Sequence, residues 1–334
     1  MKKINNTLKD KPLIIAEIGN NHEGSFSVAK KLILEASKAG VDAVKFQTFK
    51  TENFINDLDK KRFKRFKKFE LSRDQFIKLA KLAKQKRLKF ISTPLDIESA
   101  SFLNSIVDYF KISSGDNNFY YLIEKVLSFK KPTIISTGLL NYAEIKNLLK
   151  FIKKIKFPIE KLTLLHCVSS YPVLDNEANL KSVYFLKKKL KISIGYSDHT
   201  IGIEAAIVAV AYGATIIEKH FTINKNYSDF RDHKLSADPE EMTKLVASIK
   251  KTSLMLGDHN KKIGRSEKLN LSSMRRSIYI KRDLKKGQKI LFNDLKIVRP
   301  SNELKNFDLK KVVKKILKKD LKKSEPLLKK NIKN

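Results

Sequence analysis

A chain of 334 residues with 42% hydrophobic content can fill one large core and a small second one. Its single cysteine, Cys167, rules out an intrachain disulfide, and no apolar run approaches the ~20 residues of a membrane span. The Lys-rich start MKKINNTLKDK has no signal-peptide core behind it, so a cytoplasmic, unprocessed protein with no membrane partner is expected. The formal charge of +35 raises nucleic-acid binding as an alternative, but lysines are spread over nearly every segment. Even the densest regions, Lys60 to Lys68 and residues 275–334 with 21 basic against 6 acidic residues, read as compositional bias. Weak adhesion to polyanions is expected, and no specific nucleic-acid partner.

Along the chain, short Ile- and Val-rich runs alternate with stretches of helical spacing. The runs are PLIIAEIG (12–19), DAVKFQT (42–48), LKFISTP (88–94), DYFKISSG (108–115), PTIIST (132–137), KLTLLHCV (161–168), KISIGYS (191–197) and ATIIEKHF (214–221). Eight such units in about 225 residues predict an α/β fold, a (β/α)8 TIM barrel, with a doubly wound sheet as the alternative. DPEEMTKLVASIKKTSLML then reads as a closing helix, and the pattern changes to short strands and turns from Arg275. The expected domains are a barrel over 1–258, a linker over 259–274 and a small β-rich domain over 275–334.

Polar residues gather at the C-terminal ends of these runs: Glu17, Lys45, Gln47, Thr93, Lys111, Ser113, Ser136, His166, Ser197 and His220. In a barrel those ends converge on the mouth where active sites lie. His199 in SDHT and His220 in EKHF follow neighbouring strands, so the two imidazoles can share a first-row divalent ion with positions open for substrate oxygens. Glu17 is placed to move protons, or to pair with Lys45 or Lys111. Lys45 and Lys111, with hydroxyls at Thr93, Ser113 and Ser136, make a cationic, donor-rich pocket suited to a small phosphorylated carboxylate. Cys167 reads as a small buried residue, His166 as a core histidine, and the aromatics of KRFKRFKKFE as packing for a loop or helix.

The ordered motifs IIAEIGNNHEGS, VKFQTF, FISTP, FKISSGD, IISTG, LLHCVSSYP, GYSDHTIG and IEKHFT resemble the bacterial sialic acid synthase family, which includes legionaminic and pseudaminic acid synthases. The tail from Arg275 resembles that family's antifreeze-like (SAF) domain. The resemblance implies condensation of phosphoenolpyruvate with an N-acylated hexosamine, N-acetylmannosamine first and a 2,4-diacetamido-2,4,6-trideoxyhexose second. It implies a divalent metal on His199 and His220, Mn2+ first, with Mg2+ or Co2+ as alternatives. Catalytic roles fall on Glu17 and on Asp116, which stands where many members carry a second glutamate. The phosphoenolpyruvate cradle falls on Lys45, Thr93, Lys111, Ser113, Ser169, Tyr171 and Ser197; Gln47 and Ser136 join the substrate site, and Asp232 in FRDH matches a sugar-binding aspartate. Arg299 matches an arginine that reaches the partner's barrel mouth, which implies a domain-exchanged homodimer; Ser301 stands where glycine is common. A phosphoenolpyruvate-dependent seven- or eight-carbon sugar synthase is the alternative enzyme, and the SAF-like tail argues against it.

Overall fold

A computed structural model describes residues 11–257, 260–305 and 308–333. The expected boundary at 258 and 259 lies outside the described residues. The chain divides into two compact units, residues 1–257 and 258–334.

The first unit is a closed barrel of eight parallel strands in sequential order: β1 (Leu13–Gly19), β2 (Ala43–Thr48), β3 (Lys89–Pro94), β4 (Tyr109–Ile112), β5 (Thr133–Ser136), β6 (Leu162–Cys167), β7 (Ser193–Asp198) and β8 (Ile216–His220). The expected (β/α)8 barrel is therefore what the chain forms. Between the strands run α1 (Phe26–Ala39), α2 (Lys60–Phe69), α3 (Arg73–Gln85), α4 (Ile97–Leu103), α5 (Tyr120–Ser128), α6 (Tyr142–Lys154), α7 (Lys181–Leu190) and α8 (Glu204–Ala211). The short α9 (Asp232–Leu235) and the closing α10 (Pro239–Leu256) follow β8. Several helices begin where the sequence supplies both halves of a capping box: Ser72 with Gln75, Asn141 with Glu144, and Asp238 with Glu241 ahead of Pro239.

Strand alternation sends successive side chains to opposite faces. Outward residues such as Ile14, Ala16, Val44, Phe46, Phe90 and Ile217 join the helices in the main core. Inward, Ile15, Ala43, Ile91, Ile134, Leu165 and Ile216 close the barrel with an apolar floor. Gly195 sits at this level because a Cβ there would meet Ile216 O at 2.5 Å and Leu165 Cδ2 at 2.6 Å. β4 ends at Ile112, short of the expected 115. The reason is a turn: Asp116 N–H donates to Ser113 O, and the Asn117 amide donates to Ser136 O and Gly138 O across to β5.

The second unit pairs β9 (Ser277–Ile280) antiparallel with β10 (Leu295–Val298), and isolated bridges such as Leu284 with Leu321 tie in its turns. Its core is small, built on Ile278, Ile280, Leu284, Ile290, Leu317 and Leu327. Among the described residues no helix is long and apolar enough to cross a membrane.

Candidate active site

Two residues beyond each floor position, the same inward face carries Glu17, Lys45, Thr93, Lys111, Ser136, Cys167, Ser197 and Glu218, one from each strand. All eight line a cavity of about 440 Å³ at the C-terminal ends of the strands, joined by Gln47, Ser113, Tyr171, His199, His220 and Asp232. Of the ten polar strand-end residues expected at the mouth, nine line this cavity and His166 does not.

Four charges share its floor. Lys45 Nζ lies 2.8 Å from Glu17 and 3.6 Å from Glu218, while Lys111 Nζ donates to Glu218 at 3.2 Å. Ser197 Oγ donates to the same Glu218 oxygen at 2.9 Å, and Lys45 also reaches Thr93 Oγ1 at 3.4 Å. Burial drives the Glu17 carboxyl above its ordinary range; Lys45 opposes the shift and Glu218 reinforces it. Burial acts upward on Glu218 too, but Lys111 and Lys45 outweigh it and hold that carboxyl below the usual range. Neighbouring charges and burial thus push these two carboxyls in opposite directions.

A second feature is a set of hydroxyls without partners. Ser114, Ser136 and Ser169 each bury an Oγ that makes no hydrogen bond to protein. Ser114 and Ser169 crowd the face of Gly138, where a Cβ would fall 2.6 Å from Ser114 Oγ and closer still to Ser169 Oγ. Buried donors that the protein leaves unpaired are suited to an anion that arrives from outside. Ser113, by contrast, turns its hydroxyl onto Asp116. Asp116 is not among the cavity-lining residues, and burial raises its carboxyl pKa. The carboxylate beside Glu17 is Glu218, which sequence reasoning passed over.

The two histidines of SDHT and EKHF meet, their ring centroids 5.4 Å apart. His199 Nδ1 lies 2.9 Å from Val168 O, and since a carbonyl only accepts, that nitrogen carries a proton and Nε2 is the nitrogen left to ligate. Burial works against the charged form, but Cys167 and the Val168 carbonyl raise the imidazole pKa above its ordinary value. Burial, with His199 and Lys45 nearby, holds His220 well below the ordinary imidazole pKa, and its Nδ1 is buried without a partner. Two adjacent imidazoles lining a polar cavity fit a divalent ion. Among the described residues no group of three or more His, Cys, Asp or Glu side chains is placed for a metal, so the protein would contribute these two ligands. Tyr171 stacks on His199 with centroids 4.2 Å apart, and the Arg231 guanidinium lies over the Tyr171 ring at 4.8 Å.

The rim also differs from the sequence expectation. The phenylalanines of KRFKRFKKFE do pack, with Phe66 and Phe69 against Phe49, Phe54 and Phe230. The same helix turns Arg62 and Arg65 to the cavity. His166 is a core residue, bonded to Ala178 O and stacked on Tyr196. Gln47 is fixed by Asn20, whose amide donates to it at 2.8 Å. Arg299 is exposed beside the end of β10 in the second unit.

Comparison with known proteins fits this geometry. The sequence model of the NeuB family matches residues 32–261, and that of the SAF domain matches residues 275–333. The chain belongs to the NeuB family. Among NeuB relatives, the N,N'-diacetyllegionaminic acid synthase of Campylobacter jejuni is 40% identical over 87% of this chain and 91% of that protein. The pseudaminic acid synthase of the same organism is 34% identical over 87% and 88%. The crystal structure of N-acetylneuraminic acid (sialic acid) synthetase from Leptospira borgpetersenii, in complex with citrate, superposes with a TM-score of 0.74 at 36% identity, covering 78% of this chain and 90% of that one.

Proposed function

We propose that this NeuB-family chain condenses phosphoenolpyruvate with an N-acylated hexosamine and water, giving a nine-carbon sugar acid and phosphate. The observation that carries this reading is that the unpartnered hydroxyls of Ser114 and Ser136, two buried lysines and two adjacent histidines line one cavity, with the unpartnered Ser169 beside Ser114 at Gly138. The hydroxyls of Ser114, Ser136 and Ser169 and the ammonium groups of Lys45 and Lys111 bind the phosphoenolpyruvate anion. A divalent ion of the Mn2+ type, held by His199 and His220, would polarise the acceptor's aldehyde oxygen.

Carbon 3 of the enol attacks the aldehyde carbon, forming the new C–C bond and leaving positive charge at carbon 2. Glu17, whose carboxyl is held above its ordinary range, gives its proton to the aldehyde oxygen as that oxygen becomes a hydroxyl. Water adds at carbon 2 and returns a proton to Glu17, and the carbon-to-oxygen bond to phosphate then breaks as the carbon-2 hydroxyl gives its proton to the departing phosphate and becomes the ketone. Glu218 stays ionised and keeps both lysines aligned.

The relative at 40% identity favours a 2,4-diacetamido-2,4,6-trideoxyhexose as acceptor, and the sialic acid synthetase likeness favours N-acetylmannosamine. Phosphate release from phosphoenolpyruvate, measured with and without Mn2+ against both sugar types, decides. Metal-dependent release with one sugar names the acceptor; no release with any sugar, in folded and metal-loaded protein, refutes the reaction. A homodimer in the cytoplasm belongs to the same reading, and its mass in solution tests the dimer.

A further inference from the structure

The motif NNHEG after β1 contributes no side chain to the reacting centre apart from Asn20, yet it is buried and heavily bonded. The partners of its Asn21 and Glu23 side chains lie 200 or more residues away. Asn21 Nδ2 donates to Phe221 O at 2.8 Å and to Ser236 Oγ at 3.0 Å, bracketing the loop that joins β8 to α9. Glu23 Oε1 accepts from Ser228 Oγ and from His233 Nε2, the latter at 3.1 Å. Because a carboxylate accepts only, the proton sits on Nε2, and His233 Nδ1 faces Thr222 Oγ1 at 2.7 Å at the start of the same loop. Glu23 makes these contacts from φ +45°, a conformation side chains avoid unless their surroundings hold them there. This loop and the start of α9 present Phe230, Arg231 and Asp232 to the cavity, where Asp232 Oδ1 is buried with the Arg231 guanidinium at 3.4 Å as its one ion-pair contact among the described residues.

We infer that Glu23 is a positioning residue for the acceptor sugar, fixing through His233 and Ser228 the loop that carries Asp232. The inference rests on the reading above that an acceptor binds in this cavity. The phosphoenolpyruvate groups sit on other elements, on β2, β4, β5 and the loops that follow β4 and β6. Loosening the loop should therefore separate the two substrates.

Glu23→Ala removes both acceptor contacts, whereas Glu23→Gln keeps an oxygen able to take the His233 proton. In Glu23→Ala the Michaelis constant for the acceptor should rise roughly tenfold or more while that for phosphoenolpyruvate stays within about twofold, and Glu23→Gln should restore most of the loss. Hydrogen exchange over residues 222–236 reads the clamp independently of turnover, and should quicken in Glu23→Ala and, more mildly, in Ser228→Ala. The Ser228 variant serves if Glu23→Ala fails to fold. Unchanged exchange in the loop, or an equal rise in both Michaelis constants, overturns the inference. A loosened loop in a protein whose wild type releases no phosphate with any sugar overturns the acceptor assignment and the proposed reaction, and leaves the clamp itself established.

Discussion

Lys219 Nζ lies 3.0 Å from Asp198 Oδ2, on the outer face of the two strands whose ends deliver His220 and His199. The pair is almost wholly buried, and each partner is bonded further: Lys219 to Thr200 O, Asp198 to Thr200 N–H and Oγ1. Breaking a buried pair strands a charge, so Lys219→Met should cost about 3–5 kcal/mol in denaturant unfolding. Lys219→Met with Asp198→Leu should recover most of that loss, since the desolvation penalty goes with the pair. Equal loss in the single and double variants would show that the two residues act separately.

Asp116 and Glu218 should part in kinetics. Asp116→Ala, off the cavity lining, should change kcat by less than about threefold, whereas Glu218→Ala strips Lys111 of its carboxylate partner, leaves Lys45 on Glu17 alone and should lower kcat/KM by about a hundredfold. The reverse order would return Asp116 to the reaction centre.

At Gly138 the test is steric. Gly138→Ala would put a methyl among the hydroxyls of Ser114 and Ser169, so the Michaelis constant for phosphoenolpyruvate should rise by about tenfold with little change in melting temperature. An unaltered constant would remove these hydroxyls from the binding site.

Glu70 supplies a pH-dependent tether for the rim helix. Burial would raise its carboxyl, but hydrogen bonds from Lys50 Nζ and from Thr51 N–H and Oγ1 hold it down at about 2. A folded-state pKa below the unfolded one stabilises above the unfolded value and loses that contribution as pH falls through the folded value. The melting-temperature gap between wild type and Glu70→Gln should thus be full at neutral pH and close between about pH 4.5 and 2. Lys50 is partly exposed, so the effect should stay near about 1 kcal/mol. A gap that does not narrow across that window would count against the tether.

The barrel was legible because buried parallel strands write themselves as apolar runs, and the histidine pair because SDHT and EKHF end adjacent strands. Glu218 could have been found from the same signal, since it lies two residues before His220 and so shares its face. Ser114 could not: β4 ends at Ile112, and which of two neighbouring serines turns inward depends on the Asn117 bonds that shape the turn. Arg62 and Arg65 were hidden for another reason. A helix so rich in cations gives no sequence sign of which ones face the cavity, and that choice is made by the packing of Phe66 and Phe69, with Phe66 lining the cavity beside the two arginines.

Strand register sets more than side-chain packing in this barrel. β8 pairs Glu218 with Ile15 and Lys219 with Ala16 on β1, so a carboxylate faces the interior while an ammonium faces the helices. Sliding β8 by a single residue would exchange them, putting a third lysine in the pocket and a lone acid against an apolar shell. One step of alignment between two strands thus decides whether the centre of this molecule is electrically balanced or strongly cationic.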